Sequence, residues 1–450
     1  VPALQEKDAV TVPIEERLLS RRAAFDYLVR RYRANSPEIA ALKEYFRSDA
    51  DYAPVLGAID AAMTRGSSRR ITDRTLAKAL YGDRMKLSAT RIDVYHKCPF
   101  MYFCEYGLRV KERRRAAVDS LEYGTLIHYI FENFFSRHGR DSYASLDEAY
   151  VAREVSAILD EYVERHFGGK EGKSKRFLYL FYRIQSTAVK LVLHLIRELS
   201  QSDFTPVDFE LNVGEDIPAY VLELKDGLSL AVYGSVDRVD ECSRDGVPYI
   251  RVIDYKTGVK EFNLFDIVYG INLQMFLYLS AIRRGAEERY GEGIVPAGVL
   301  YMPAVSPSVS ADYGADEDSI LQKVLKEYTM RGVVLEDIDV LSMMEHDLKG
   351  RYIPVAVKGD SLPGGSESLA TLEQMGAIFR RIDVLLCRMA ESLYDGDVGA
   401  VPLKGEYDGC KYCRYSAVCL RREDDPCRDG VKLSKDEVYG ALKEVDSDES

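Results

Sequence analysis

Asp237, Asp254 and Lys256 lie in two short apolar runs, Leu228–Asp240 and Tyr249–Gly258, and are the residue types that metal-assisted hydrolysis uses. Side chains alternate along a strand, so Asp254 and Lys256 share a face with Val252. Cys242-Ser-Arg-Asp-Gly246 has the composition of a hairpin turn, and folding the runs back on each other brings Asp237 towards Asp254. Two carboxylates and a lysine at the end of an apolar sheet suit a divalent cation and a negatively charged phosphodiester. Magnesium takes a few hard oxygens and keeps water positions open, and a lysine can steady an attacking water or the charge that develops. Taken alone, a D-x-K triplet is more often a surface hairpin with an exposed ion pair.

Cysteines make a second constellation. Cys410-x2-Cys413-x5-Cys419 places three thiols close together, and Cys427 follows. Such clustering points to a soft metal, either zinc or an iron–sulfur cluster. Zinc could be satisfied by the local four. A cluster could use three local thiolates and a distant one, for which Cys98 in His-Lys-Cys-Pro-Phe-Met-Tyr-Phe-Cys is the natural candidate. Cys104, Cys242 and Cys387 are expected to pack as small apolar residues. His128 sits among apolar neighbours in Gly124-Thr-Leu-Ile-His-Tyr-Ile-Phe-Glu, where a lone histidine is usually a hydrogen-bonded core residue. Gln274 and Tyr278 are four apart and share a helix face. Gly168-Gly-Lys-Glu-Gly-Lys-Ser174 only imitates a phosphate loop, because Phe167 stands where the pattern needs glycine; it reads as a flexible basic connection. With no other phosphate loop, ATP hydrolysis is not encoded.

These residues need elements to hold them. Apolar spacing predicts helices between Glu15 and Tyr81, then over Gly124–Phe135, Leu146–Phe167 and Arg176–Leu199. Ser88 is an N-cap that opens a new unit. Strands are expected at Val207–Val213 and Ala219–Leu224, then in the two runs above and at Ala297–Met302. Helices follow at Val268–Arg284 and Leu369–Tyr394, and the tail after Asp429 is expected to hold one short helix and to end in a frayed Asp-Ser-Asp-Glu-Ser. Ser306–Asp318 and Val357–Ser368 carry loop composition. Helices, a central sheet and more helices make the chain α/β or α+β rather than all-β.

Composition sets outer bounds. Four hundred and fifty residues allow two or three domains. The net charge of −12 argues against non-specific coating of nucleic acid, although Arg109–Arg115 is a local basic run. No run reaches the ~20 apolar residues of a membrane span, and the amino end lacks a signal-peptide core, so no membrane association and a cytoplasmic location are expected. Eight clustered cysteines fit a reducing compartment and metal binding. The chain starts at Val1 rather than Met, which suggests a piece of a longer polypeptide.

Taken in order, six segments resemble the RecB-like branch of the PD-(D/E)xK nucleases, and within it the carboxy-terminal nuclease region of AddB subunits. They are Leu87 to Phe103, Gly124-Thr-Leu-Ile-His128, Gly234-Ser-Val-Asp-Arg-Val-Asp240, Ile253-Asp-Tyr-Lys-Thr-Gly258, Gln274-x3-Tyr278 and Cys410-x2-Cys413-x5-Cys419. The resemblance implies an α/β fold with a restriction-endonuclease-like core, a mixed central sheet flanked by helices, and a small all-α amino-terminal segment. It implies a helical segment at 1–86 ending a helicase-like region, a nuclease domain at 87–429 and a tail at 430–450. His128, Asp237, Asp254 and the Tyr255 carbonyl would hold Mg²⁺ or Mn²⁺. Lys256 would be the catalytic lysine, supported by Gln274 and Tyr278. Cys98, Cys410, Cys413 and Cys419 would ligate a 4Fe–4S cluster that staples the domain's ends together, so that its loss unfolds the domain.

The implied activity is metal-dependent hydrolysis of DNA, an exonuclease acting on single strands or unwound duplex ends. It would work beside an AddA-type helicase–nuclease subunit in a heterodimer that processes double-strand breaks for recombination. A catalytically inactive DNA-binding scaffold and a zinc-stabilised interaction domain are the alternatives. The core departs from the superfamily label in having Ile253 before Asp254 and Tyr255 before Lys256, which is the RecB-like form.

Overall fold

The computed structural model describes residues 20–32, 34, 36–64, 69–110, 121–258, 262–310, 316–359, 361–419, 421 and 425–447. Most of the basic run at 109–115 lies outside them. The chain divides into two compact units, 1–69 and 70–450. In the first, helices Arg21–Arg30, Pro37–Arg47 and Ala53–Thr64 close over Phe25, Leu28, Phe46 and Leu56.

The second unit is built on strands. They are β1 (Arg84–Leu87), β2 (Thr205–Val213), β3 (Tyr220–Glu223), β4 (Ser229–Val232), β5 (Gly234–Arg244), β6 (Val247–Lys256), β7 (Val295–Pro303), β8 (Arg331–Leu335), β9 (Leu369–Ala370), β10 (Leu403–Gly405) and β11 (Arg428–Gly430). The central sheet is mixed, in the order β2-β5-β6-β7-β8-β9, with β6–β7 and β8–β9 parallel and the remaining pairs antiparallel. A three-stranded sheet β1-β4-β3 and a parallel pair β10-β11 flank it. The mixed α/β architecture is the one expected.

Alternation along β6 sorts its side chains between two cores. Ile250 and Val252 face helices Gln274–Gly285 and Leu372–Tyr394, while Ile253 and Tyr255 face helices Leu121–Arg137, Glu148–Phe167 and Lys175–Ser200. Asp254 and Lys256 thus emerge beyond Val252 at the strand's carboxyl end. The β5–β6 turn has Asp245 at φ 53° and Gly246 at φ 79°, between paired Arg244 and Val247. That is the two-residue Asp-Gly turn whose twist suits a hairpin. Two elements differ from expectation. The helix expected at Val268–Arg284 is two, Asp266–Tyr269 and Gln274–Gly285, parted where Gly270 (φ 75°) and Asn272 (φ 56°) take left-handed conformations. The run Leu228–Asp240 is two strands in different sheets, broken at Tyr233, because Gly234 must pass under Tyr278: a Cβ there would lie 2.3 Å from the tyrosine hydroxyl.

The helix Lys435–Ser447 buries Val438, Tyr439 and Leu442 in the core that contains Leu372–Tyr394. Two sequence-distant parts of the unit meet in direct contacts. Phe100 N–H donates to the Gly399 carbonyl at 3.1 Å, Arg428 donates to the His96 carbonyl, and the Gly409 Cα comes so close to the Lys97 carbonyl that a Cβ would stand 2.9 Å from it.

Candidate functional site

Three elements deliver the first group of side chains. His128 comes from the helix Leu121–Arg137, whose first turns lie beside Thr257 at the end of β6. Asp237 stands on β5, and Glu210 on β2 directly across from it, between the pairs Phe209–Arg238 and Leu211–Val236. Their donor atoms lie within 4.8 Å of one another. His128 Nδ1 is 3.0 Å from Glu210 Oε1, and its Nε2 is 3.6 Å from Asp237 Oδ2 and 3.3 Å from the Tyr255 carbonyl. The Tyr255 N–H donates to Asp237 Oδ2 at 2.7 Å, so β6 fixes that carboxylate through its backbone. A hard-cation site needs such a set of oxygens with an imidazole, and the donors present fit it.

Electrostatics agrees with that fit. Burial pushes the Asp237 carboxyl up to about 7, and the charge of Asp254 adds to this. Burial alone would lower the His128 imidazole, but Glu210 and Asp237 outweigh it and lift it to about 9. Glu132, one helical turn beyond His128, is raised by burial and by Glu210. In the absence of a cation a proton on the histidine is what balances the carboxylates. His128, Glu132 and Glu210 border a cavity of about 540 Å³ that is also lined by Gly124, Thr125, Tyr129 and Thr257.

Asp254 and Lys256 complete the site. Asp254 is 2 % exposed and makes an ion contact with the Lys256 ammonium, without the alignment of a hydrogen bond. The ammonium stands 5.8 Å from the centroid of the Tyr301 ring, and about a quarter of the lysine side chain is open to solvent. Gln274 begins the helix Gln274–Gly285 and hydrogen-bonds Tyr278 one turn on. Burial pushes the Tyr278 hydroxyl up to about 12; the Gln274 and Ser235 bonds oppose that, and the charges of Asp254 and Asp237 add to it. The structure therefore gathers His128, Asp237, Asp254, Tyr255, Lys256, Gln274 and Tyr278 at one end of β5 and β6.

Two features escape a reading of the sequence. Glu210 is the first. It takes φ 50°, a left-handed conformation that non-glycine residues avoid, and its other oxygen accepts from Ser235 Oγ at 3.1 Å. An acidic residue in the middle of the strand Val207–Val213 was the available signal. The second is a buried square of Glu198, Arg238, Asp240 and Arg251, each at most 1 % exposed. Arg238 donates to Glu198 at 3.1 Å and to Asp240 at 2.8 Å; Arg251 donates to the same two residues at 2.6 and 2.8 Å. Burial works against the Glu198 carboxylate, yet Arg251 and Arg238 hold it below its ordinary range. Arg238 also reaches the Tyr255 hydroxyl at 3.5 Å. The square ties the helix Lys175–Ser200 to the strands that carry Asp237 and Tyr255.

The cysteines form a separate centre. Cys98 is buried at the start of the helix Pro99–Tyr102, in a small apolar cluster with Phe100, Cys104 and Tyr415 against which Cys413 and Cys419 pack. Burial raises the Cys98 thiol, and Cys419 and Cys413 add to the rise; burial likewise raises Cys413, with Cys419 and Cys410 beside it. No three of these thiols lie within 4.8 Å of one another among the described residues. Cys427 is exposed, and its Sγ lies 3.8 Å from Asp429. Cys242 is buried with its Sγ 3.5 Å from Met343 Sδ.

Comparison with known proteins agrees with this geometry. A profile of the PD-(D/E)XK nuclease superfamily matches residues 86–420. The chain is 28% identical to the B-subunit of the ATP-dependent helicase/deoxyribonuclease of Clostridium novyi, over 99% of this chain and 41% of that protein. It is 31% identical to the corresponding protein of Acetivibrio thermocellus, over 80% of this chain and 32% of that protein, and 29% identical to that of Clostridioides difficile, over 83% and 33%. The chain thus spans 32–41% of these relatives' length. With a mixed sheet that brings two aspartates, a lysine and a histidine to one edge, and with that match over most of its length, the chain belongs to the PD-(D/E)XK nuclease superfamily, in its RecB-like branch beside the nuclease region of AddB subunits.

Proposed function

We propose that residues 87–429 form a Mg²⁺- or Mn²⁺-dependent deoxyribonuclease domain that hydrolyses single-stranded DNA within a helicase–nuclease assembly. The observation that carries this reading is the meeting of His128, Glu210 and Asp237 within 4.8 Å, beside the Asp254–Lys256 pair. A divalent ion bound by His128, Glu210, Asp237, Asp254 and the Tyr255 carbonyl would activate water for attack and neutralise the oxygens of the scissile phosphate. The Lys256 ammonium, in ion contact but not locked in a hydrogen bond, can turn from Asp254 to the attacking water or to a phosphate oxygen. Tyr278 holds the end of β5 through Gly234 and Ser235, and Gln274 holds Tyr278, so both position the lysine's surroundings.

The relatives' names, all of helicase/deoxyribonuclease B-subunits, support DNA as the substrate and a further subunit as partner, which we propose to be of AddA type in the processing of broken DNA ends. Cys98, Cys410, Cys413 and Cys419 are proposed as the ligands of a 4Fe–4S cluster. Cys413 and Cys419 pack against the small cluster that holds Cys98, whereas Cys427 is exposed with its Sγ 3.8 Å from Asp429, which supports the distant Cys98 over Cys427 as the fourth ligand.

The test is cleavage of a labelled single strand with Mg²⁺ and with EDTA. Lys256→Ala should lose cleavage while keeping its circular dichroism and its affinity for the strand. A folded Lys256→Ala protein that cleaves at the unmodified rate would remove the assignment, and a wild-type protein that binds but never cleaves would point to the inactive scaffold.

A further inference from the structure

A second cavity, of about 520 Å³, opens between the helix Leu372–Tyr394 and the strand β11. Arg381, Leu385, Arg388 and Ser392 recur at helical spacing and line one wall; Arg428 lines another. Arg381 spends one N–H on the Val268 carbonyl at 2.9 Å, and Arg428 spends one on the His96 carbonyl. The buried Nε of each has no partner among the described residues, and neither does the Nε2 of His96, which is 5 % exposed and borders the same space. Among the described residues no carboxylate pairs with any of the three arginines. Asp429 lines the rim, exposed, with its carboxylate beside Cys427.

Burial works against the charge of the Arg381 guanidinium, and the nearby charge of Arg388 adds to that. Three converging cations in a chain of net charge −12 are a local exception that costs energy unless an anion joins them. Guanidinium forks match the oxygens of phosphate. Val268, Leu385 and Met389 supply apolar wall for the remainder of a nucleotide.

We propose that this cavity binds a phosphate-bearing nucleotide unit, with Arg381, Arg388 and Arg428 as its counter-charges. Resting on the nuclease reading, the source it favours is a phosphodiester of the bound strand away from the cleavage point. His96 packs on Gly270, four residues before Gln274, so the cavity borders the segment that leads into the site helix. Free nucleotide or inorganic phosphate offers the same chemistry.

The test uses the full chain with its metal cluster retained, in EDTA, and anisotropy of a labelled single-stranded oligonucleotide across a salt series. Inorganic phosphate and a 5′-mononucleotide serve as competitors. Arg388 is exposed and stands apart from the proposed metal donors and Lys256, so Arg388→Ala should keep its fold and visible absorbance. It should weaken strand binding about tenfold, and the slope of log affinity against log salt should shrink by about 0.7, as for one lost contact to a single strand. Arg388→Lys should restore most of both.

Loss for the strand alone assigns the cavity to a strand phosphate. Weakened competition by the two small ligands as well assigns it to any phosphate group. Unchanged affinity and slope for all three ligands in both Arg388→Ala and Arg381→Lys would overturn the proposal. So would loss of binding only together with the cluster's colour, which would make the arginines counter-charges to that cofactor. Binding in EDTA is independent of cleavage, and wild-type cleavage with Mg²⁺ run alongside tests the nuclease reading separately.

Discussion

Replacing Glu210 by glycine should separate stability from function. Glu210 is held at φ 50° on β2, where its carboxylate meets His128 at 3.0 Å. A left-handed conformation costs a residue with a Cβ about 1–2 kcal/mol, and glycine pays none of it. Glycine carries more freedom into the unfolded chain, which returns about 0.4–1 kcal/mol of that gain. Glu210→Gly should therefore be more stable than Glu210→Ala by about 0.5–1 kcal/mol, although both lack the carboxylate. Function should not follow that order. Each variant loses one oxygen donor and the charge that helps hold the His128 proton. A charge-assisted contact is worth about 1.5–3 kcal/mol, so the Mg²⁺ concentration for half-maximal cleavage should rise about ten- to a hundredfold in both. Urea unfolding in EDTA reads the first difference, and cleavage rate against Mg²⁺ reads the second. The reasoning fails if Glu210→Ala is the more stable of the two, or if either keeps the wild-type Mg²⁺ dependence.

The buried square supplies a second expectation. Glu198→Ala would leave two fully buried arginines facing Asp240 alone, costing about 3–5 kcal/mol, and a denaturation midpoint close to wild type would refute it. The pH dependence has a worked sign. Both His128 and Asp237 bind protons more tightly folded than unfolded, so the stability they contribute without metal is present at low pH. For Asp237 it is lost as pH rises from about 4 through about 7, and for His128 as pH rises from about 6.5 through about 9. Because a cation needs both groups deprotonated, the rise in melting temperature on adding Mg²⁺ should be larger at pH 8.5 than at pH 6; an equal rise at both would count against the assigned donors. Cys98→Ser should bleach the visible absorbance and lower the melting temperature, whereas Cys427→Ser should keep both near wild type. A colourless protein whose melting temperature falls with Cys427→Ser would select a local zinc set instead.

What the sequence determined was whatever depends on local geometry. Asp254 and Lys256 share a face because strand side chains alternate, and Asp245-Gly246 closes their hairpin because glycine and aspartate tolerate positive φ. Cys410, Cys413 and Cys419 have the spacing that soft-metal ligands use, and Gln274 and Tyr278 share a helix face by periodicity. His128 by itself reads as a core histidine, and only its resemblance to a motif suggests otherwise.

Tertiary structure decided the rest, because these roles arise from distances between elements that no local pattern encodes. Glu210 meets His128 and Asp237 only when β2 pairs with β5 and the helix Leu121–Arg137 lays His128 across both. Arg238, Asp240 and Arg251, charged residues in strands that pattern alone would send to the surface, are buried because the helix Lys175–Ser200 brings Glu198 to complete their neutral square. Arg381 and Arg428 lie far apart in sequence, and their shared cavity exists only because the end of the chain folds back to His96. Local chemistry was written in neighbours along the chain; the convergence of that chemistry was written in packing.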